Sequence, residues 1–193
     1  MPLHLSPPPA PALRCVLAAL QDVHGPTATS GPGSPHPELS LPVHTWKRLR
    51  DPRGEIRTEL TGWRFPLGPA EGTSADPPQA AEALLTPEGW TFGYLSQGPY
   101  VTSTERALRQ CSAQAGSYQP RLLSLPELYM LTLWLHGDVD AAPDRNGPAP
   151  NDLLVPLAPA PPGIPSHRPH RVEALLPLLT VRLLAGPLMS APA

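Results

Sequence analysis

Early in the chain, apolar residues recur at helical spacing: Leu13, Val16, Leu17, Leu20 and Val23. Gly25-Pro26 follows as a stop signal, so the pattern predicts one amphipathic helix over about 12–24. Residues 25–37 (GPTATSGPGSPHP) have the composition of a linker. From Leu39 onward the period falls toward two. Leu41–Trp46 and Glu55–Leu67 read as strands, with Ile56, Thr58 and Leu60 on one face of the second. Gly62 marks a bulge that shifts register before Trp63 and Phe65. Gln79–Leu85 reads as a helical turn or short helix ended by Pro87. Glu88-Gly89 turns into a strand over Trp90–Ser96, with Trp90, Phe92 and Tyr94 on one face.

A helix is predicted over 102–115. Thr102-Ser103-Thr104-Glu105 has the form of a capping box, the apolar stripe is Thr104, Ala107, Leu108, Cys111 and Ala115, and Gly116 closes it. Tyr118–Leu125 is a further strand. Leu128–His136 admits two readings. Ser124 and Glu127 could cap a helix ended by Gly137, but the run is short, nearly all apolar and bounded by Pro126 and Gly137, which suits a strand buried on both faces. Asp152–Leu157 is its natural antiparallel partner. Proline excludes regular structure over 157–169. Val172, Leu175, Leu176, Leu179 and Leu183 form a last helical stripe, ended by Gly186-Pro187. Pro177 is tolerated if that helix starts near Glu173, among N–H groups that lack partners anyway.

These elements predict an α+β fold: a mainly antiparallel sheet of five or six strands, covered on one side by the 102–115 and C-terminal helices. The expected organisation is a proline-rich arm with one helix (1–38), the α+β domain (39–186) and a tail (187–193). Composition adjusts this picture little. The 31 prolines cluster before residue 45 and between 139 and 169. A single lysine, Lys47, stands against many arginines, and Ile, Asn and Phe are scarce. That is a bacterial-like, high-GC coding bias, so the prolines are discounted as a functional signal. The tracts 7–11 and 159–165 lack an arginine well placed beside a P-x-x-P core and read as connectors.

The net charge of −2 gives no basic surplus for nucleic acid. The one basic cluster, Lys47, Arg48, Arg50, Arg53 and Arg57, is interrupted by Asp51 and Glu55 and reads as a solvated edge. Val16–Leu20 is far too short to span a bilayer, and no basic segment precedes it. Cys15 and Cys111 suit free buried thiols in a reducing, cytoplasmic setting. Gly93–Gly98 misses a nucleophile elbow by one residue. Cys111 with His136 and Asp138 could supply a thiol nucleophile, a base and an orienting acid. His136, Asp138 and Asp140, with Asp144 and Asp152 nearby, could gather around a divalent cation. They lack the closing glutamate of a calcium loop, and His167 and His170, which a zinc site would need, lie in the proline segment. No cofactor motif occurs.

The function expected from this is a non-catalytic accessory or protein-interaction protein that binds a protein partner or itself. The rivals are a small metal-dependent or thiol hydrolase around His136 and Asp138, and a binder of a small apolar ligand between helix 102–115 and the sheet.

Overall fold

A computed structural model describes residues 3–24, 39–47, 57–67, 77–113, 116–144 and 147–185. Helix α1 spans Ala10–His24. Strands β1 (Leu41–Lys47), β2 (Arg57–Leu67), β3 (Gln79–Thr86) and β4 (Gly89–Gln97) follow, then α2 (Pro99–Ser112). After β5 (Gln119–Leu125), a 3-10 turn at Pro126–Leu128 leads into β6 (Met130–His136). The chain finishes with β7 (Leu153–Pro156), β8 (His170–Arg171) and α3 (Val172–Ala185). All eight strands join one sheet in the order β4-β3-β2-β1-β5-β6-β7-β8. Only β1 and β5 are parallel. The α+β class therefore stands, with a sheet larger than five or six strands. Among the described residues no helix is long and apolar enough to cross a membrane.

The helices lie on both faces of the sheet, not one. Alternation along β6 divides the core. Leu131, Leu133 and Leu135 pack with Leu122, Val155, Leu41 and the α2 residues Ala107, Leu108 and Cys111. Met130 and Trp134 point the other way, to Leu123, Leu154 and the α3 residues Val172, Leu175 and Leu179. Pairing of Pro42 with Trp63 carries that second face onto β2. There Trp63, Phe65 and Leu67 meet Ala12, Val16 and Leu20 of α1. One face thus holds α1 and α3, the opposite face α2. This division is not legible along the chain, because the linker-like composition of residues 25–37 separates α1 from the strands it covers.

The predicted helix over 79–85 is a strand. Alanine and leucine favour helix intrinsically, but pairing on both sides outweighs that preference. Ala81 and Ala83 are fully buried beneath α1, where small side chains permit close approach. Glu82 points to the α2 face, where its carboxylate accepts from buried Arg64 Nε at 2.6 Å. Burial pushes the Glu82 carboxyl up, and Arg64 opposes that.

The bulge expected at Gly62 is present: register shifts between Val43 and His44, and a Cβ at Gly62 would lie 2.6 Å from the Ala83 carbonyl. A second bulge interrupts β4. Glu82 pairs with Tyr94 while Ala83 pairs with Phe92, so Gly93 is the extra residue. Tyr94 consequently leaves Trp90 and Phe92 and faces the α2 side, 51% exposed.

Helix α2 starts at Pro99, earlier than the capping-box reading placed it. Gly98, at φ 114°, takes the N-cap position without a side-chain hydrogen bond. Proline at the first helical position suits a site whose N–H has no helical partner. Thr104 instead donates back to the Tyr100 carbonyl at 2.7 Å. Helix α3 begins at Val172, one residue before Glu173, with Val172 N–H bonded to the Asp152 carbonyl at 3.0 Å. Pro177 then sits inside the helix, where it has no N–H to donate to the carbonyl of Glu173, an exposed residue.

Candidate functional site

Between α1 and α3, the sheet carries a polar cluster where its own strand alternation brings polar side chains to one face. In the β5–β6 register Gln119 stands opposite His136 and Arg121 opposite Trp134. Asp152, just before β7, is the hub. Its Oδ2 accepts from Trp134 Nε1 at 2.7 Å and Ala149 N–H at 2.9 Å, and lies 2.7 Å from His136 Nδ1. Its Oδ1 accepts from Gly137 N–H at 3.0 Å. Burial by itself would raise this carboxyl. The hydrogen bonds from His136, Gly137, Ala149 and Trp134 outweigh it and hold Asp152 below the ordinary carboxylate range.

Arg121 is fully buried, with its guanidinium 4.8 Å from the Trp134 ring centroid. Its Nε donates to Gln119 Oε1 at 2.6 Å, and a terminal nitrogen reaches the Ala142 carbonyl at 3.3 Å. Burial lowers its pKa to about 10, opposed by Asp152, Asp138 and Asp144, so it stays charged at neutral pH. Gln119 Nε2 donates to the Val139 and Ala141 carbonyls. The polar turn after β6 is therefore pinned over the cluster.

His44 of β1 completes the group, edge-on to Trp134 with ring centroids 5.2 Å apart. Burial, then the Arg121 charge, depress its pKa to about 4, so it is neutral at pH 7. A backbone hydrogen bond to Pro143 partly opposes that fall at His44, while Thr132 Oγ1 and His136 Nε2 are buried without a hydrogen-bond partner among the described residues.

The residues singled out in the sequence are dispersed by the fold. His136 faces inward to Asp152, whereas Asp138 and Asp140 are exposed and joined to each other, Asp140 N–H to Asp138 Oδ1 at 3.2 Å. Among the described residues no three His, Cys, Asp or Glu side chains form a group able to hold a metal ion. Cys111 packs on the α2 face, with the sheet between it and His136. Burial raises its pKa. A thiol probe added to the native protein is therefore expected to leave Cys111 unmodified until denaturant is present. Mass spectrometry of the labelled peptide checks this, and rapid native labelling would contradict the packing.

His167 meets Ser103 of α2, Nε2 to Oγ 3.2 Å, while that same Oγ accepts from Ala158 N–H at 2.7 Å. This contact ties the proline segment to α2, and Ser103 is enclosed. Between α2 and the sheet, Ala107, Leu108 and Cys111 pack with Leu122, Leu133 and Val155. Of the basic cluster, Arg48, Arg50 and Arg53 lie outside the described residues, and Lys47 pairs with Glu59.

The open feature is an edge. One end of the sheet is β8, two residues long. The other is β4, nine residues (GWTFGYLSQ) with no charged side chain and no proline. Among the described residues no strand lies beyond β4, and no main-chain hydrogen bond from outside the sheet reaches residues 89–97. No known family model, curated protein or solved structure matches this chain.

Proposed function

We propose that this chain works by binding another polypeptide, as a non-catalytic accessory or interaction protein, through the open edge of β4. The observation that carries this reading is a nine-residue, uncharged, proline-free strand at the end of the sheet. Unpaired N–H and C=O groups along such an edge template a further strand. Natural sheets therefore shorten their edges, charge them, bulge them or interrupt them with proline. β8 obeys that rule by brevity; β4 is long, with neither charge nor proline, and the bulge at Gly93 is its one irregularity. Strand addition draws affinity from main-chain hydrogen bonds and specificity from alternate side chains.

The chemistry elsewhere supports binding over catalysis. Asp152 accepts from Trp134, Gly137 and Ala149 as well as contacting His136, so its lone pairs are engaged in holding the turn. An attacking group for His136 is missing from the candidates, since Cys111 lies across the sheet and Ser103 stands by His167. Outer α3 also presents apolar side chains to solvent, Leu178 at 57% and Val181 at 65% exposure.

A photo-crosslinking residue at Thr91, exposed on β4, tests the reading in cells that naturally express the chain. A discrete protein adduct from position 91, absent when the label replaces exposed Glu127, is the expected result. No adduct from Thr91 would dispose of it.

A further inference from the structure

We infer that the strand received by β4 is the β4 of a second copy, paired antiparallel about a two-fold axis at the Gly93–Tyr94 step; this rests on the edge-binding reading above. The argument comes from the bulge. Trp90, Phe92, Leu95 and Gln97 fall on the α1 face, paired with Leu85, Ala83, Ala81 and Gln79. Thr91, Tyr94 and Ser96 fall on the opposite face with Leu84, Glu82 and Ala80. Gly93 belongs with them, because a Cβ there would point at Leu84, 2.8 Å away. Two neighbours, Gly93 and Tyr94, therefore share a face, which breaks the alternation in the middle of the strand.

Along residues 90–97 the order of faces reads the same from either end. Turned antiparallel about the Gly93–Tyr94 step, two copies set Phe92 opposite Leu95, Thr91 opposite Ser96, and Trp90 opposite Gln97. Every pair then lies on one face. Shifting the register by one residue sets α1-face side chains against the other face along the strand, and shifting it by two mismatches the centre, Phe92 with Gly93 or Tyr94 with Leu95. A foreign strand of plain alternation has to skip a residue here, as β3 does; a second β4 does not.

The same register places Tyr94 of one copy across from Gly93 of the other. An aromatic ring over a cross-strand glycine covers backbone that glycine leaves bare. That gives the half-exposed Tyr94 ring a partner. With no charge on β4, self-pairing opposes no like charges. The contact is isologous and closes at two copies. One strand pair is small beside the roughly 1,600 Å² of a standard interface, so the dimer is expected to be weak and concentration-dependent.

Light scattering on the full chain across a concentration series tests this. The mass is expected to rise from the monomer's 20.6 kDa toward twice that. The variant Thr91→Lys/Tyr94→Lys, which sets lysines close across the axis, should stay monomeric with an unchanged unfolding midpoint. Register is read independently with Thr91→Cys/Ser96→Cys in a background lacking Cys15 and Cys111. Mild oxidation should give a covalent dimer, because the two positions lie about 17 Å apart along one strand and cannot close within a chain. A chain that is monomeric at every concentration overturns the inference, as does a dimer indifferent to the lysines. If the Thr91 crosslink captures a different protein while the chain stays monomeric, edge binding stands and self-pairing fails. If it captures nothing and no dimer forms, both fail.

Discussion

Asp152→Ala is expected to destabilise the protein by about 4 kcal/mol or more, because it orphans several buried donors at once, each costing about 1–3 kcal/mol. The donors are Trp134 Nε1, Gly137 N–H and Ala149 N–H, with His136 Nδ1 also losing its contact. The change also releases the turn that covers Arg121. Against a total stability of about 5–15 kcal/mol for a typical domain, much of the population could unfold. Asp152→Asn keeps one oxygen acceptor and should cost about half as much, since its amide nitrogen must face at least one donor. Urea unfolding followed by tryptophan fluorescence checks both. A midpoint shift worth less than about 1 kcal/mol for the alanine variant would show that the carboxylate is not the hub.

The second large effect is acid lability centred on His44. Its pKa falls from 6.5 in the unfolded chain to about 4 in the fold. Between those values the unfolded chain binds the extra proton, so stability rises with pH across that window. Acidification from pH 6.5 to 4 should therefore remove about 3 kcal/mol, at 1.36 kcal/mol per unit. The dependence weakens through pH 4 and levels off below it, as His44 takes up its proton in the fold, buried beside the Arg121 charge. Asp152 acts later and with its own sign. A carboxyl held low stabilises the fold above its ordinary pKa of 3.8, and that contribution disappears as pH falls through the folded value. His44→Phe keeps a ring against Trp134 and removes the titration. It should flatten the dependence between pH 6.5 and 4 and leave the variant more stable than the parent at pH 4. A parent protein equally stable at pH 6.5 and 4 would contradict a buried, neutral His44.

Both effects come from residues that the sequence only partly exposed. His136 and Asp152 attracted notice through their polarity beside apolar strands. His44, Gln119 and Arg121 did not, although Gln119 and Arg121 do show a weak period-two signal, polar positions alternating with Pro120 and Leu122. On one strand such a signal is indistinguishable from a solvated face. Only the β1–β5–β6 neighbourhood shows that this face is interior. The sequence also paired His136 with Asp138 by proximity along the chain, whereas the hydrogen bond is made to Asp152, on the far side of the turn.

What local sequence determined is plain in β6, whose unbroken apolar run is buried throughout, in α1 with its stripe at helical spacing, and in the irregular proline segment. Steric and hydrophobic periodicity act over a few residues, so they can be read without partners. Tertiary structure alone decided that Gln79–Thr86 is a strand, that Gly93 is a bulge, that helices cover both faces, and that β4 is left at the rim. Each of these depends on which segment lies alongside. Strand pairing and burial are energies between residues distant in the chain, and for QAAEALLT they exceed the local preference for helix.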